Sequence, residues 1–475
     1  MEKLQHLHGM SDISHESWQR LRASQDYLRE FFSLYGYQMI ETPVLEPTEL
    51  FLRKSGGELA TRMYTFIDPG GNQVSLRPEY TASILRRVLK EDTTNRMPIR
   101  VQYAGPVFRY EADSHLSRQF TQVGAELMGS YDPRADTEVL SLSCMALSGM
   151  GLGGHHLAVG DIGVLHKLLE SVGLSERAIL FILSNIAGLK GGQDGIDRTL
   201  ERAKQVRLVS VEHRQSYLGA SIGDMEEEQA RGLLYGLLQW AEVGSLGQRE
   251  PSEVVERMLR KFRGGDDLVK LQRGLEIAQQ LAGLRGHPDF CIKAAGELIT
   301  SYGLDTAVLN RITEVMELLD VSGLHDTIAV LDFGLVRDLA YYNGIVFELS
   351  HPAMETTLGG GGRYDGLARA LGSHSNMPAL GFAYALEPLL DTLERVGKSE
   401  QKGDNASGCV LVLSSDTSTY VEACRLAREM RHKGTPVEVD VCGMGVEQGV
   451  SYARAKGMTE VIIVGSDGTS TTHEL

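Results

Sequence analysis

Arg337, Tyr341 and Tyr342 lie close together late in the chain, followed by Gly359 to Gly362 and then Arg363-Tyr364-Asp365-Gly366. A guanidinium is a planar fork of N–H donors that matches a carboxylate. Aromatic rings beside it can wall a small ligand. Consecutive glycines let a ligand come close to the backbone. A second set of residues lies far upstream. Strand alternation over residues 120–129 puts Gln122, Gly124 and Glu126 on one face. Polar, small, polar is the reverse of a packing face and suits the floor of a binding site. A carboxylate at Glu126 could accept a ring N–H, which an apolar analogue does not offer. The same alternation sets Arg109 and Glu111 opposite Phe108 and Tyr110.

Each of these residues also has a plainer reading. The tyrosines can be packing residues, and Arg337 can pair with Asp338 or Glu348 at the surface. The glycine run can be a turn, and Glu126 can pair with Arg118. His155 and His156, adjacent on a strand, point to opposite faces and make a poor metal pair. The five cysteines are scattered, with no CxxC pair. They fit reduced thiols of a cytoplasmic protein, with neither a disulfide framework nor a metal site.

Several elements must position these residues. Apolar residues near helical spacing predict a helix over 14–35, closed by Gly36. Residues 37–46 read as a strand that Pro43 confines to an edge or a bend. Residues 64–68 and 73–76 flank Pro69-Gly70-Gly71-Asn72 and predict a hairpin. Its second strand leads into Arg77-Pro78-Glu79 and a helix reaching Lys90. Strands follow at 99–104, 107–111 and 120–129. Residues 175–320 are helical in period and carry no chemical constellation, and strand resumes at 330–335. After a polar stretch over 398–408 come strand, helix, strand, helix, strand at 410–413, 418–432, 436–441, 445–455 and 460–464. That order predicts a small α/β domain with a parallel sheet. The polar tail 468–475 stands where a further helix and strand would be, as if that region were cut short.

The chain has 475 residues, 42% hydrophobic and 23% charged, as expected of a soluble globular protein of several domains. No apolar run suffices for a membrane span, and the N-terminus lacks the apolar core of a signal peptide. The net charge of -16 argues against a phosphate-backbone partner. After Gly408 acidic residues outnumber basic ones, which argues the same way.

Arg77-Pro78-Glu79, Phe108-Arg109-Tyr110-Glu111, Gln122-x-Gly124-x-Glu126, Leu335-Val336-Arg337 with Tyr341-Tyr342-x-Gly344, and Gly361-Gly362-Arg363-Tyr364-Asp365-Gly366 together resemble the class II histidyl-tRNA synthetase family, in that family's order. The resemblance implies an α+β fold, with a class II synthetase-like antiparallel sheet, flanking helices, a helical insertion and a small C-terminal α/β domain. The implied boundaries are core over 1–174, insertion over 175–325, core again over 326–395, linker over 396–407, and an anticodon-binding-like domain over 408–475. It also implies a histidine site. Glu79, Thr81 and Gln122 would hold the ammonium, Glu126 and Tyr342 would read the imidazole beside Tyr341, and Arg337 would face the carboxylate. Arg109 and Glu111 would be left as residual nucleotide-binding residues.

The chain departs from the family on the nucleotide side. Pro388 stands where Gly-Phe-Ala-x-x-Leu-Glu is followed by arginine in class II synthetases. Tyr80 follows Glu79 in place of a glycine, where a ligand would pass. Ala112 replaces an arginine, and Arg337-Asp338-Leu339-Ala340-Tyr341-Tyr342 departs from Arg-Gly-Leu-Asp-Tyr-Tyr. Losing a donor aimed at a reacting centre costs about 10²–10³ in rate.

Two kinds of protein share the pattern: the synthetase and the regulatory subunit of ATP phosphoribosyltransferase. The kept amino-acid side and altered nucleotide side predict the second. That protein is non-catalytic, binds L-histidine and supports the first step of histidine biosynthesis beside a short-form catalytic subunit. It is expected in the cytoplasm as a homodimer within a hetero-oligomer, self-associating through Tyr35 to Leu45. No cofactor, metal, tRNA or membrane partner is expected. The alternative is a histidine–tRNA ligase with a divergent third motif, using ATP and Mg, with Arg337 as its catalytic residue.

Overall fold

The computed structural model describes residues 6–53, 56–90, 97–111, 117–206, 208–209, 225–240, 255, 268–324, 327–337, 341–397, 408–466 and 469–475. Ala112, His115, Asp338, Ala340, the linker residues 398–407 and much of the helical stretch 238–284 lie outside them. The described strands are β1 (Gln38–Met39), β2 (Leu45–Pro47), β3 (Thr65–Ile67), β4 (Gln73–Leu76), β5 (Ile99–Phe108), β6 (Gln119–Met128), β7 (His155–Asp161) and β8 (Arg285–Gly286). They continue as β9 (Thr327–Asp332), β10 (Ile345–Ser350), β11 (Gly359–Arg363), β12 (Ala379–Ala385), β13 (Val410–Ser414), β14 (Val437–Val439), β15 (Glu460–Val464) and β16 (Ser470–Glu474).

The main sheet runs β1-β5-β6-β12-β11-β10-β7-β9-β8 and is antiparallel except at β1–β5 and β7–β9. Helices flank it, so the architecture is α+β. Ser14 starts the first helix, His15–Ser33, by accepting the Ser17 N–H. That helix buries Leu28 and Phe32 and sets Phe32 edge-on to Phe382 of β12. The predicted hairpin is present as β3 and β4, with β2 added on the other side of β4. Gly71 supplies the positive φ its turn needs.

Three details differ from expectation. The two strands read at 99–104 and 107–111 are one strand, β5. Pro106 sits within it because β1 pairs only with Val101 and Gln102, so the missing N–H breaks no ladder on that side. The polar tail is a strand: β16 pairs antiparallel with β15, and its threonines suit an exposed edge. The C-terminal sheet, β14-β13-β15-β16, is therefore parallel with one antiparallel edge.

The third concerns domain bounds. The chain forms two compact units. One comprises Met1–Gly163, Arg285–Gly296 and Thr306–Leu475, and the other Val164–Leu284 and Glu297–Asp305. These bounds cut across the expected 175–325 insertion, because β8 pairs with β9 in the main sheet and Arg311 bonds Asp136. The elements described in the second unit are helices, such as Glu176–Ser184, Gln193–Gln205 and Leu268–Ala282. Among the described residues no helix is long and apolar enough to cross a membrane.

The C-terminal region belongs to the first unit, and buried charge explains why. The Pro133–Gly149 helix is almost wholly buried yet carries Asp136 and Glu138. Buried carboxylates are costly unless partners compensate them. Arg363 and Arg311 serve Asp136. Arg100 of β5 donates through Nε and Nη2 to both Glu138 oxygens, each at 2.7 Å. Its Nη1 reaches Glu438 Oε2 of β14 at 2.7 Å, and Tyr452 and Lys456 complete the shell around Glu438. One guanidinium thus joins the main sheet, the buried helix and the C-terminal sheet. Arg100→Met leaves two carboxylates buried without it, and a loss of about 3–5 kcal/mol is expected. Urea denaturation measures this. Adding Glu138→Gln and Glu438→Gln to the same chain should recover much of the loss.

Candidate functional site

A cavity of about 300 Å³ opens on the main sheet, at the small end of the roughly 300–1,000 Å³ typical of ligand sites. Strand β6 is its floor. Gln122 and Glu126 face into it, as alternation requires, and Gly124 lies between them. Thr81 enters at the start of the Thr81–Val88 helix. Glu79 precedes that helix and accepts the Ala82 N–H at 3.1 Å, so its charge sits at a helix N-terminus. Arg337, Tyr341 and Tyr342 also line the cavity, in the segment ahead of β10.

Glu126 is the most constrained group. Its Oε1 accepts from Thr81 Oγ1 at 2.8 Å and from the Tyr103 hydroxyl at 3.2 Å, and its Oε2 accepts from the Tyr364 hydroxyl at 2.6 Å. The surface pairing with Arg118 does not occur. Arg118 instead lies over Tyr110 and donates to the Glu111 carbonyl. Gly381 of β12 makes room for Glu126, since a Cβ there would overlap Oε2. Burial pushes the Glu126 carboxyl up to about 7 against the help of these hydroxyls, and nearby Glu79 adds to the rise. Burial also raises Glu79.

Among the described residues, Gln122 and Tyr341 of the lining keep a polar atom open for a ligand. Gln122 Oε1 is buried and accepts no hydrogen bond. The Tyr341 hydroxyl is buried near Thr81 but makes no hydrogen bond of ordinary geometry. Unsatisfied buried polar atoms are costly, and a ligand's ammonium could serve Gln122.

The glycine run is a buried strand, β11, rather than a turn. Its purpose is visible at Gly360, whose φ is 153° and where a Cβ would overlap the Arg337 guanidinium. Arg337 donates from Nη1 to the Phe347 carbonyl at 3.1 Å, with Glu348 3.9 Å away. Arg109 also lines the cavity, anchored by Nε to the Pro78 carbonyl at 2.9 Å. Burial lowers its pKa, and Glu79 opposes that.

Glu111 behaves differently from its expected companion Arg109. It is absent from the lining and forms an ion pair with Arg62, which does line the cavity. Tyr80 also differs from expectation. It is fully buried against Tyr103, with ring centroids 4.4 Å apart, under the Arg77 guanidinium, and it does not enter the cavity. Its ring turns into the core because the helix start points it away from Glu79 and Thr81.

Sequence reasoning passes over Tyr103, Tyr364 and Arg62. A signal existed for Tyr103: it pairs with Gly124, and a glycine between two floor residues marks where a neighbouring side chain lies across the strand. Tyr364 stands inside a quoted motif without an assigned role. Arg62 follows a short helix in a run without periodicity, and nothing local flags it. Among the described residues, no group of three or more His, Cys, Asp or Glu is placed to hold a metal ion.

An antiparallel-rich sheet whose centre holds a polar pocket, flanked by helices, is the architecture of class II aminoacyl-tRNA synthetase-like proteins. The family model described as Histidyl-tRNA synthetase matches residues 9–205 and 252–389, and the chain belongs to that family. The histidine–tRNA ligase of Methanocaldococcus jannaschii is 28% identical over 461 residues, 96% of this chain and 91% of that protein. The ligase of Pyrococcus horikoshii is 29% identical over 465 residues, covering 97% and 91%. Among solved structures, one described as an ATP phosphoribosyltransferase regulatory subunit/histidyl-tRNA synthetase from Bacillus halodurans has a TM-score of 0.56 at 24% identity, covering 98% of each chain. A histidyl-tRNA synthetase from Nostoc has a TM-score of 0.55 at 16% identity, covering 100% of this chain and 97% of that one. At those identities the likeness is one of fold.

The raised carboxyl has a stability consequence. Glu126 binds its proton more tightly in the folded chain than its ordinary value of 4.5 would give. Its stabilising contribution is therefore complete below about pH 4.5 and lost as pH rises through about 7. Glu126→Gln carries no charge to bury. The melting temperature of the unliganded variant, relative to wild type, should rise between about pH 5 and pH 8. Scanning calorimetry measures it, and a flat difference across that window contradicts the burial account.

Proposed function

We propose that this chain is a non-catalytic regulatory subunit of ATP phosphoribosyltransferase, binding L-histidine in this pocket and supporting a short-form catalytic subunit at the first step of histidine biosynthesis. The observation that carries the reading is an asymmetry within one site. The amino-acid end keeps a complete set of groups: Glu79, Thr81 and Gln122 for an ammonium, Glu126 and Tyr342 for an imidazole, Arg337 for a carboxylate, and Tyr341 packed edge-on to Tyr342. The nucleotide end has Pro388 near the start of the Leu386–Arg395 helix, in the arginine position of the third motif. Proline offers no charge and no donor. Neither cofactor nor metal is required for this role.

Several further features support the partners. Arg428 and Arg431 of the C-terminal region bond the Ser322 and Val437 carbonyls, Arg425 pairs with Glu422 and Glu429, and Lys456 serves Glu438. Cations spent within the chain contribute less to gripping tRNA. Met39, Val44 and Leu45 are exposed apolar residues within or beside the Tyr35 to Leu45 segment, which favours self-association there as a homodimer within the hetero-oligomer. One solved structure of this fold is described as an ATP phosphoribosyltransferase regulatory subunit/histidyl-tRNA synthetase, so the regulatory role is one of the two it names. The proposed setting is the cytoplasm.

A second reading is a histidine–tRNA ligase using ATP and Mg, with Arg337 catalytic. The ligase names of the relatives favour it, as do the retained Arg109 and the position of Tyr80, which leaves the cavity open.

Calorimetry with L-histidine tests the pocket. Wild type should bind saturably below millimolar concentration. Glu126→Ala should weaken binding at least about thirtyfold, because the ligand's N–H loses its acceptor. The same preparation should stimulate a short-form phosphoribosyltransferase, with histidine altering that stimulation. No histidine binding at millimolar concentration would sink the proposal.

A further inference from the structure

We propose that the Arg62–Glu111 ion pair sets the charge of this pocket so that it admits a zwitterion and refuses a polyphosphate. The inference deepens the histidine-binding reading above and rests on it. Arg62, Arg109 and Arg337 all line the cavity. Taken alone, three guanidiniums would suit a polyanion.

Each, however, has a carboxylate beside it. Glu348 stands 3.9 Å from Arg337. Glu79 favours the charge on Arg109. Arg62 is paired directly with Glu111, and both side chains are largely buried, at 27% and 16% exposure. Glu126 adds one more carboxyl.

Glu111 acts from behind the wall. It is outside the lining, so it neutralises Arg62 without taking up ligand space. Its place is fixed on both sides: the Tyr110 N–H donates to the Arg62 carbonyl at 2.7 Å, and Arg118 donates to the Glu111 carbonyl at 3.0 Å.

A zwitterionic amino acid brings equal and opposite charges to such a site and needs no net charge in return. A polyphosphate needs surplus positive charge. Each carboxylate held beside a guanidinium removes part of that surplus. Glu111 thus selects ligand class without touching the ligand.

Glu111→Gln and Arg62→Gln break the same ion pair and leave opposite charges behind. Inorganic tripolyphosphate, titrated by calorimetry at low ionic strength into the full-length chain, is the probe. Glu111→Gln should raise its affinity about tenfold over wild type, and Arg62→Gln should lower it or leave it undetectable. Affinity that moves the same way in both variants, or that Glu111→Gln leaves unchanged, overturns the inference, because loss of a merely structural contact acts alike in both. L-Histidine titrated into wild type tests the underlying reading separately. Its failure to bind sinks that reading whatever tripolyphosphate does.

Discussion

One buried carboxyl organises the site. Glu126 lies on the central floor strand, takes hydroxyl hydrogen bonds from Thr81, Tyr103 and Tyr364, and among the described residues has no cation in direct contact. Hydroxyls are the right partners for such a group. They satisfy the carboxylate without fixing its charge, so it remains able to accept one more N–H at its own geometry. A guanidinium in their place would have compensated the charge and removed the incentive to bind. Gly381 is required because the carboxyl occupies the volume of its side chain, and Gly124 because the Phe382 carbonyl and the Tyr103 ring lie there.

The scaffold around this group is held by ion pairs made in the interior. The Pro133–Gly149 helix anchors Arg363, which adjoins Tyr364, and Arg100, which lies on the same strand as Tyr103. Two of the three hydroxyls on Glu126 are therefore next in line to arginines held by one helix. Arg100 also reaches Glu438, so the C-terminal sheet is fastened to the strand that carries Tyr103. Buried pairs of this kind add little net stability when complete and cost several kcal/mol when broken. Their effect here is to fix position.

Much of this is legible in the sequence wherever the relevant spacing is local. The hairpin follows from its glycine turn, the floor face from period-two alternation, and the α+β class from the motif order. Residues whose meaning depends on distant partners are harder to read. Tyr364 matters because Glu126, far upstream, points at it, and Arg62 because Glu111 does. Tyr80 looks obstructive beside Glu79 in the sequence, yet the helix start turns its ring into the core against Tyr103. Pro106 looks like a strand breaker and is not, because the neighbouring strand is too short to need its N–H. The tail residues are polar on every side, so only their pairing with β15 reveals a strand.

The family relationship leaves one question open between a ligase and a regulatory protein, and chemistry separates them. Activating histidine requires in-line attack on ATP with charge stabilised at the phosphates. The proposed histidine binding needs only the groups at the amino-acid end of the cavity. Histidine-dependent exchange of pyrophosphate into ATP reads that difference directly on the purified chain. With saturating L-histidine, ATP and Mg, the account predicts no exchange above the histidine-free background. Robust, histidine-dependent exchange would contradict it.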